Sequence, residues 1–585
     1  MLDTFQQNFE IREIPLSLKS SKQKVENFLQ TFELRLDEVD YYVGIFALSD
    51  DQLFGVGGLN KDVIKCIAIS NELQDTGLGM KLISHLYTTA LNRGYSSVKV
   101  FTKPKNKDIF ESLAFHTLAQ AEKAILLENG NGLKEYCKYL SSLRGEGKNG
   151  CIVMNANPFT IGHRYLIEQA SKQVDNLYII IVKENKSLFS YDERKAMIEK
   201  GTEDLDNVIV CKGSAYQISS ATFPTYFLKT IDDATDTQIS LDLDLFIKHI
   251  APSLNISVRF AGTEPKDILT CRYNALMREI LTKNSISFVE VPRLEVKNNV
   301  VSATFLRDKL LNFDIPSACE YAYTSTIPYI ISFCATLSLQ KELDTTPKPG
   351  LVDKQDNGAH TDMDYSLMCR SIKTLHEYFS KFAVLCFKKD LPPIQDIQQL
   401  GIEAENSMMK TTGGVNTHKG ALFSMGLFVC ATSFLYYNKG IGNIKAEDIR
   451  EIISFLAKQL PTPNNTHGSE VLNTHKINGA LLNAVNAYPE LFQYWLPYYK
   501  EVKNENYGVH KTLLYIMTFL DDTNIYYRKG ELSVKKVKLQ AEELLKDFSV
   551  FALEKLNREF VKENISPGGA ADMLSLTIFA DSILK

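Results

Sequence analysis

The spacing of hydrophobic and polar positions changes twice along the chain and divides it into three regions. In residues 1–140, apolar and β-branched runs at positions 41–48 and 63–69 predict strands, and the spacing that follows predicts a helix over residues 79–93. Residues 141–150 have the glycine and charge content of a linker. The first region is therefore predicted to be a small α/β domain.

The second region, residues 150–315, alternates short apolar runs with helical stretches. The apolar runs predict strands at residues 151–155, 177–182, 208–211, 258–261 and 288–291. This alternation is typical of parallel βαβ units with a ligand crevice at the carboxyl ends of the strands. The third region, residues 320–585, has long helical periodicities between loops rich in Gly, Pro, Asn and Asp, and is predicted to be all-α.

Composition narrows the class of protein. The chain has 585 residues, and 65 basic against 70 acidic residues give a formal net charge of −5, which argues against a nucleic-acid partner. The ten cysteines form no CxxC pair, and the first residues do not resemble an export signal, so we expect a cytoplasmic protein. Uncharged runs at 321–340 and 420–438 approach the length of a membrane span, but polar residues interrupt them; we expect buried helices and no membrane partner.

The first candidate site is the loop that follows the strand predicted at residues 63–69. Its sequence QDTGLG places Gln74, Gly77 and Gly79 before a helix, where backbone amides and the helix dipole can approach a diphosphate. The strand, the QxxGxG loop and the helix together resemble the acyl-CoA-binding motif of the GNAT acetyltransferase fold. The resemblance implies that these residues bind an acyl-CoA or pantetheine diphosphate. The alternative is a tight turn without a ligand.

The second candidate site follows the first predicted strand of the second region. Asn157 lies in an NPF loop, and Thr160, Gly162 and His163 form a TxGH turn at the start of a helix. Adenylyl transfer requires the triphosphate to be held in line and its developing charge to be stabilised. Gly162 permits close approach of a nucleotide, and His163 and the helix amides can donate hydrogen bonds to phosphate oxygens. We therefore predict a nucleotidyl-transfer site.

Two later segments are predicted to complete this site. The segment SATFLR enters a helix and supplies Ser302, Thr304 and Arg307, whose hydroxyls and guanidinium can bind the departing phosphates. The segment FAGTEP follows a strand and could hold adenine or ribose, with an ordinary loop as the alternative. Its candidate residues are Gly262, Thr263 and Glu264.

These segments are similar to those of the citrate lyase ligases, which acetylate the prosthetic thiol of citrate lyase. The similarity rests on GCIVMNANPFTIGHRYLI, on SYDERKAMI with Arg194, and on SSATFPTYF, FAGTEP and VSATFLR. It implies that acetate attacks the α phosphorus of ATP and that the thiol of the acyl carrier subunit captures the acetyl-adenylate. It also implies that Thr160, His163 and Arg307 are the catalytic contacts to phosphate, with Arg194 among the nucleotide-binding residues.

The third candidate site is spread over the polar loops of the helical region. Gly413 and Gly414 precede polar residues and can form a backbone nest that holds phosphates beside a cation. Carboxylates from separate loops could hold Mg²⁺ or act as a general base if the fold gathers them, and each could instead be a solvated charge or a helix cap. The nest adds Asn416, His418 and Lys419, and the carboxylates are Asp353, Asp362, Asp364, Glu405, Asp522 and Asp572.

Together these loops resemble triphosphoribosyl-dephospho-CoA synthase, which makes the precursor of the citrate lyase prosthetic group. The similar strings are TPKPGLVD, NGAHTDMD, GGVNTHKG, DTN and SPGGAADML. The resemblance implies that the 2′-hydroxyl of dephospho-CoA attacks the ribose C1 of ATP and expels adenine. Where this family has a GARGEA-like segment, residues 479–484 read GALLNA and lack the arginine and the glutamate. The implied catalytic residues are Glu405 and Asp522, the implied Mg²⁺ ligands Asp362, Asp364 and Asp572, and the implied substrate-binding residues Lys348, Asp353, Arg528, Gly568 and Gly569 together with the nest.

The leading interpretation is a bifunctional maturation enzyme for citrate lyase with three domains. These are a GNAT-like α/β domain at 1–140, a Rossmann-like nucleotidyltransferase domain of the HIGH superfamily at 150–315, and an all-α domain at 320–585. The expected substrates are ATP, acetate and dephospho-CoA, the expected partner is the acyl carrier subunit, and the expected cofactor is Mg²⁺. A GNAT-like loop that binds pantetheine would present the thiol to the adenylate. A small-metabolite adenylyltransferase and a non-catalytic helical docking scaffold remain as alternatives.

Overall fold

The structure, a computed structural model, describes residues 8–74, 76–184, 187–218, 223–228, 231–263, 268–297, 299–461 and 479–584. It divides into two compact units, Met1–Val301 and Ser302–Lys585. Parts of three quoted motifs lie outside the described residues: Asp75, positions 219–222, and the segment 264–267 that contains Glu264.

The first unit contains a seven-stranded sheet in the order β1-β2-β3-β4-β5-β7-β6, whose neighbours are antiparallel except for the parallel pair β4 and β5. Its strands are β1 Phe9–Glu13, β2 Tyr41–Ala47, β3 Leu53–Asn60, β4 Val63–Ile69, β5 Val98–Thr102, β6 His116–Gln120 and β7 Ile125–Asn129. Its helices are α1 Lys19–Gln30, α2 Leu78–Asn92, α3 Lys107–Glu111 and α4 Gly132–Ser142. The two strands and the helix predicted for this region are confirmed to within one residue.

The parallel strands β4 and β5 separate soon after they begin. In the register of the described strands, Val63 pairs with Lys99 and Ile64 with Val100, and the pairing goes no further. Cys66 has a positive φ of 52°, and the β3–β4 register shifts at the same place. Strand β4 therefore diverges from β5 and leaves an opening in the sheet.

The second sheet of this unit is parallel, with the order β10-β9-β8-β11-β12. Its strands are β8 Asn149–Met154, β9 Asn176–Ile181, β10 Val208–Cys211, β11 Ile256–Gly262 and β12 Ser287–Val291, and a small hairpin follows with β13 Glu295–Val296 and β14 Asn299–Val300. Its helices are α5 Ile161–Ser171, α6 Tyr191–Gly201, α7 Ile231–Leu245, α8 Ala251–Leu254 and α9 Ile268–Lys283, with a π-helical turn at Phe246–Ile250. All five predicted strands and their parallel arrangement are confirmed, so their carboxyl ends lie along one edge.

Two hydrophobic cores lie on opposite faces of the seven-stranded sheet. Leu82 of α2 belongs to the first core. The second core contains Cys66 of β4, Tyr136 of α4 and Tyr178 of β9, so it extends from one sheet to the other. The two sheets of the first unit therefore share a core.

The second unit is helical in the part that the structure describes. Its helices are α10 Ala303–Leu311, α11 Ile315–Cys319, α12 Ile327–Asp344, α13 Tyr365–Cys386, α14 Ile394–Thr411, α15 Lys419–Lys439, α16 Ala446–Ala457, α17 Ala480–Val485, α18 Leu496–Val502, α19 Gly508–Phe519, α20 Thr523–Lys529, α21 Glu531–Lys546, α22 Val550–Glu563 and α23 Gly568–Ile583, with a π-helical turn at Leu491–Trp495. Among the described helices, α15 is long and apolar enough to cross a membrane, and 78% of its most apolar window is packed inside the fold. The all-α prediction is confirmed.

Candidate functional site

Thr160 and His163 begin α5 after the carboxyl end of β8, the middle strand of the parallel sheet. Thr160 Oγ1 accepts a hydrogen bond from the His163 backbone amide at 3.2 Å, and the Thr160 amide donates to His163 Nδ1 at 3.0 Å. Because Nδ1 is an acceptor, the neutral imidazole carries its hydrogen on Nε2. This reciprocal cap fixes the helix start and the histidine tautomer together.

Gly162 and Asn157 shape the same turn. A Cβ on Gly162 would lie 3.2 Å from Val301 Cγ1, so the backbone packs closely there. Asn157 is 9% exposed, and its Oδ1 accepts a hydrogen bond from the Phe189 amide at 3.1 Å. Asn157 thus ties the NPF loop to the segment before α6, and its contact with nucleotide stays a prediction.

Arg194 supports this crevice from inside the protein. It is fully buried, and its Nη1 donates to Asn155 O at 2.7 Å and to Val182 O at 3.0 Å, joining the residues that follow β8 and β9. Its Nε donates to Phe189 O at 3.2 Å, and burial lowers the pKa of the guanidinium. These contacts give Arg194 a supporting role, and its direct contact with nucleotide stays a prediction.

The remaining candidates for adenine or ribose lie at the same edge of the sheet. Gly262 ends β11 and has open space around its Cβ position. The Thr263 amide donates to Val291 O at 2.9 Å, and its Oγ1 accepts from the Arg293 amide at 3.2 Å. Thr263 therefore links the ends of β11 and β12, and the role predicted for Glu264 falls outside the described residues.

Ser302, Thr304 and Arg307 belong to the second unit and begin α10. Ser302 Oγ accepts hydrogen bonds from the amides of Thr304 at 3.2 Å and Phe305 at 3.5 Å, which makes Ser302 the N-cap. Arg307 Nη2 donates to Thr304 Oγ1 at 2.9 Å. Their predicted phosphate contacts stay predictions.

The GNAT-like loop has the geometry of a strand-to-helix turn. Gly77 precedes α2 with φ +77°, a conformation that favours glycine. A Cβ on Gly79 would make ordinary contact with Ile69 at 3.5 Å, and Gln74 Nε2 donates to Asn71 Oδ1 at 2.8 Å. Diphosphate binding by these residues stays a prediction.

In the second unit, Lys348 lies at the centre of a buried polar cluster. The residue is 1% exposed, its Nζ donates to the Glu342 carboxylate on α12, and its amide donates to Asp353 Oδ2 at 2.8 Å. Burial raises the pKa of Glu342. The Lys348 charge also acts against protonation of His418 and His510. The TPKPGLVD motif therefore places the buried Lys348 ammonium next to Glu342 of α12 and close to His418 and His510.

His418 lies in this cluster at the end of a hydroxyl chain. Thr417 Oγ1 donates to Ser371 Oγ at 2.7 Å, and Ser371 Oγ lies 2.8 Å from His418 Nδ1. Ser371 is fully buried and has one hydroxyl hydrogen, so we assign it as the donor to Nδ1. Burial lowers the pKa of His418 to about 3. The neutral ring therefore carries a buried Nε2–H group, which has no partner among the described residues.

Asp522 joins the starts of two helices. It is 3% exposed, and it accepts hydrogen bonds from the Asn524 amide of α20 at 2.9 Å and the Ala570 amide of α23 at 3.0 Å. A Cβ on Gly569 would lie 2.9 Å from Asp522 Oδ2, and one on Gly568 would lie 2.8 Å from Asn524 Nδ2. Burial raises the pKa of Asp522 to about 6. These contacts hold the carboxylate between two helix starts, and its catalytic role stays a prediction.

Asp572 reaches from α23 to the first turn of α15. A Cβ on Gly420 would lie 2.2 Å from Asp572 Oδ2, so the glycine makes room for the carboxylate. Burial raises the pKa of Asp572 well above its usual range, and the charges of Glu342 and Asp522 raise it further. Asp572 is thus close to the other two buried carboxylates of the unit's polar cluster.

The other predicted residues of this unit make contacts of their own. Lys419 Nζ pairs with Glu405 at 2.5 Å, and the Lys419 amide donates to Asn416 Oδ1 at 3.2 Å. The pair is half-exposed. The catalytic role of Glu405 stays a prediction. Gly413 and Gly414 have φ of +67° and +92°, and their amides donate to Lys410 O at 3.4 Å and Met409 O at 2.8 Å, so they close the end of α14. Phosphate binding by the predicted nest stays a prediction.

The predicted Mg²⁺ ligands are not gathered into one site. Asp364 caps α13 by accepting from the Leu367 amide at 2.7 Å, and Asp362 is an exposed residue 3.7 Å from His360 Nδ1. Within the described ranges, no group of three or more His, Cys, Asp or Glu side chains is arranged to hold a metal ion. Arg528 is exposed on α20 and acts with burial to lower the pKa of His360.

Sequence reasoning missed Glu342, Ser371 and Tyr488. Glu342 follows apolar positions on the buried face of α12, and an acidic residue on such a face is the signal that could have found it. Tyr488 is buried, and its hydroxyl donates to Ser424 Oγ at 2.9 Å near Asp572. The GALLNA segment caps and begins α17, and the preceding residues 462–478 lie outside the described part.

Family models match three consecutive parts of the chain. The acetyltransferase (GNAT) domain matches residues 17–125, the citrate lyase ligase C-terminal domain matches 149–330, and the ATP:dephospho-CoA triphosphoribosyl transferase family matches 329–585. The order agrees with the GNAT-like sheet, the parallel sheet and the helical unit of the structure.

Curated relatives match the two halves separately. The citrate (pro-3S)-lyase ligase of Klebsiella pneumoniae is 42% identical over 50% of this chain and 86% of its own length, and that of Haemophilus influenzae is 38% identical over 53% and 96%. A probable 2-(5″-triphosphoribosyl)-3′-dephosphocoenzyme-A synthase of Streptococcus mutans is 35% identical over 43% of this chain and 94% of its own length. Among solved structures, a pantoate-β-alanine ligase from Francisella tularensis, complexed with β,γ-ATP and β-alanine, is 14% identical with a TM-score of 0.22 over 32% of this chain and 75% of that one, too low to support an argument.

Proposed function

The chain belongs to two families joined end to end, the citrate lyase ligases over its first half and the triphosphoribosyl-dephospho-CoA synthases over its second, and we propose that it performs both maturation steps for citrate lyase. The observation that carries the proposal is that each half contains its own candidate site. Thr160 and His163 lie at the carboxyl edge of the parallel sheet, and Lys348, His418 and Asp572 lie in the helical unit.

In the ligase reaction, an acetate oxygen attacks the α phosphorus of ATP and diphosphate leaves. The thiolate sulfur of the prosthetic group then attacks the acetyl carbon, forming the thioester and releasing AMP. We propose that His163 Nε2–H and the first amides of α5 stabilise the charge that develops on the phosphates. Thr160 holds the histidine in that tautomer, and Arg194 holds the surrounding loops.

In the synthase reaction, the 2′-hydroxyl oxygen of dephospho-CoA bonds to the ribose C1 of ATP and the bond to adenine breaks. We propose that Asp572 takes the hydroxyl proton, because no amide of the described residues donates to its carboxylate, whereas the amides of Asn524 and Ala570 donate to that of Asp522. Lys348 and the neutral His418 would face the phosphates and the departing base as donors.

Mg²⁺, the carrier protein and the cytoplasmic location remain parts of this proposal. Among the described residues, no three or more His, Cys, Asp or Glu side chains are arranged to hold a metal ion. Mg²⁺ commonly binds through one or two carboxylates together with substrate phosphates, which is consistent with its entering with ATP. The acyl carrier subunit is proposed as a partner from the ligase family, and dephospho-CoA as a substrate from the synthase family.

The deciding experiment incubates the purified full chain with ATP, Mg²⁺, acetate, deacetylated carrier protein and dephospho-CoA. Mass spectrometry then measures acetylated carrier and free adenine separately. We expect both products in the wild type, loss of the acetylated carrier alone in His163→Ala, and loss of adenine alone in Asp572→Asn. Failure of the folded wild type to release adenine would contradict the synthase half and would favour the docking-scaffold alternative.

A further inference from the structure

An aromatic segment of the parallel-sheet domain enters the opening between β4 and β5. This segment, which we call the β10 exit segment, comprises residues 212–218 and 223–228 after strand β10. Tyr226 is 7% exposed, and its hydroxyl donates to Phe101 O of β5 at 3.5 Å. The same phenol oxygen lies beside the Cys66 backbone of β4. Tyr226 thus connects two strands that no longer pair with each other.

Further contacts hold the second part of the β10 exit segment against the seven-stranded sheet. The Arg35 amide donates to Tyr226 O at 3.1 Å, and Arg35 Nη2 donates to Thr225 O at 3.0 Å. The ring of Phe223 packs edge-on against Phe101, with centroids 5.7 Å apart. The ring of Tyr226 is therefore enclosed, and the backbone of this part of the segment is held in place as well.

The first part of the β10 exit segment is attached to the same domain. Tyr136 of α4 donates to Lys212 O at 3.0 Å, and the Lys212 amide donates to Tyr139 OH at 2.9 Å. Tyr216 donates to the fully buried Glu128 of β7, and Lys99 Nζ lies 4.9 Å from the centre of the Tyr216 ring. Both described parts of the segment are thus docked on the N-terminal sheet.

We propose that the opening between β4 and β5 is a socket for Tyr226, and that the N-terminal domain is a scaffold for the β10 exit segment rather than a holder of acyl-CoA or pantetheine. The phenol donates to the Phe101 carbonyl and lies beside the Cys66 backbone, and these are backbone groups that an extended ligand entering this opening would need. Strand β10 ends at the same edge as β8, so the socket fixes a segment that leaves the edge carrying Thr160 and His163. Tyr226 is therefore a positioning residue of the ligase half.

The first test measures acetyl-CoA binding by calorimetry on the full chain. The comparison variant is Gly79→Asp, because a Cβ fits at that position and an acid in the first turn suits a helix while repelling a diphosphate. We expect wild type and Gly79→Asp to give the same titration. Binding in the wild type that Gly79→Asp abolishes would overturn the proposal and would support the pantetheine role instead.

The second test removes the bridging hydroxyl with Tyr226→Phe. Its matched control is Tyr87→Phe, which lies on α2 against the opposite face of the sheet. We expect faster hydrogen exchange of the peptide that contains the Cys66 amide, and a ligase kcat lower by about three- to tenfold, as for loss of one buried hydrogen bond, with an unchanged KM for ATP. Adenine release should stay at the wild-type rate.

The outcomes separate this inference from the proposed function on which its activity readout rests. If Tyr226→Phe matches Tyr87→Phe in exchange rates and in ligase kcat, the scaffold role is wrong. If the wild type acetylates no carrier, the proposed ligase function is wrong. The calorimetry and the exchange data then still test whether Tyr226, and not an acyl-CoA, occupies the opening between β4 and β5.

Discussion

The buried His418 predicts a specific acid sensitivity of the helical unit. Its pKa is lowered from 6.5 to about 3 by burial, so between these values the unfolded chain binds a proton that the folded unit does not. Stability from this residue is therefore fully present above the unfolded pKa and is lost as the pH falls from 6.5 towards 3. From about pH 7.5 to about pH 5, the free energy of unfolding should fall by about 2 kcal/mol through His418 alone.

The chain provides a selective probe for this measurement. It has one tryptophan, Trp495, which is 2% exposed and lies in the helical unit, so intrinsic fluorescence in a urea titration follows that unit. The variant is His418→Asn, whose side-chain oxygen can take the place of Nδ1 and accept from Ser371. Other buried groups titrate in both proteins, so the quantity of interest is the difference between them.

We expect the wild type to lose about 2 kcal/mol more than His418→Asn between these two pH values. His376→Asn, in the same unit, controls for loss of a histidine outside the cluster. If His418→Asn shows the same loss as the wild type, the ring is not held neutral by burial. The assignment of its Nε2–H as a donor to substrate would then be wrong as well.

Three further changes test other contacts of the structure. Lys348→Met leaves Glu342 buried without its partner and should lower the free energy of unfolding, measured by Trp495 fluorescence, by about 3–5 kcal/mol. Adding Glu342→Gln should recover part of this loss, and a double variant that is equally unstable would refute the pairing. Gly420→Ala should displace Asp572 and abolish adenine release while carrier acetylation continues, and normal adenine release would contradict the close approach at this position. Arg194→Lys should lower the thermal stability of the first unit, followed by circular dichroism, with the KM for ATP little changed, whereas a raised KM at unchanged stability would restore Arg194 as a nucleotide contact.

Local sequence signals predicted most of the fold because each element was encoded within a few residues. The five parallel strands were found from short apolar runs, and the start of α5 from the TxGH turn that follows the first of these strands. The sequence could not predict where buried side chains point and which groups they contact. Arg194 and Asp522 are the residue types of active sites, yet the structure uses them on backbone groups, and only their partners distinguish the two roles.

The opening between β4 and β5 shows why such distinctions need the folded chain. The strand, the glycine loop and the helix predict a GNAT domain, and the fold and the family model confirm it. Nothing local in that motif indicates that Tyr226, 160 residues beyond Cys66, would lie beside the backbone of that strand and donate to Phe101 O of β5. A fold can therefore keep the sequence signature of a ligand loop while a distant part of the same chain fills the adjoining cleft. For this reason we infer the function of the N-terminal domain from what occupies its opening, and not from the glycines that mark it.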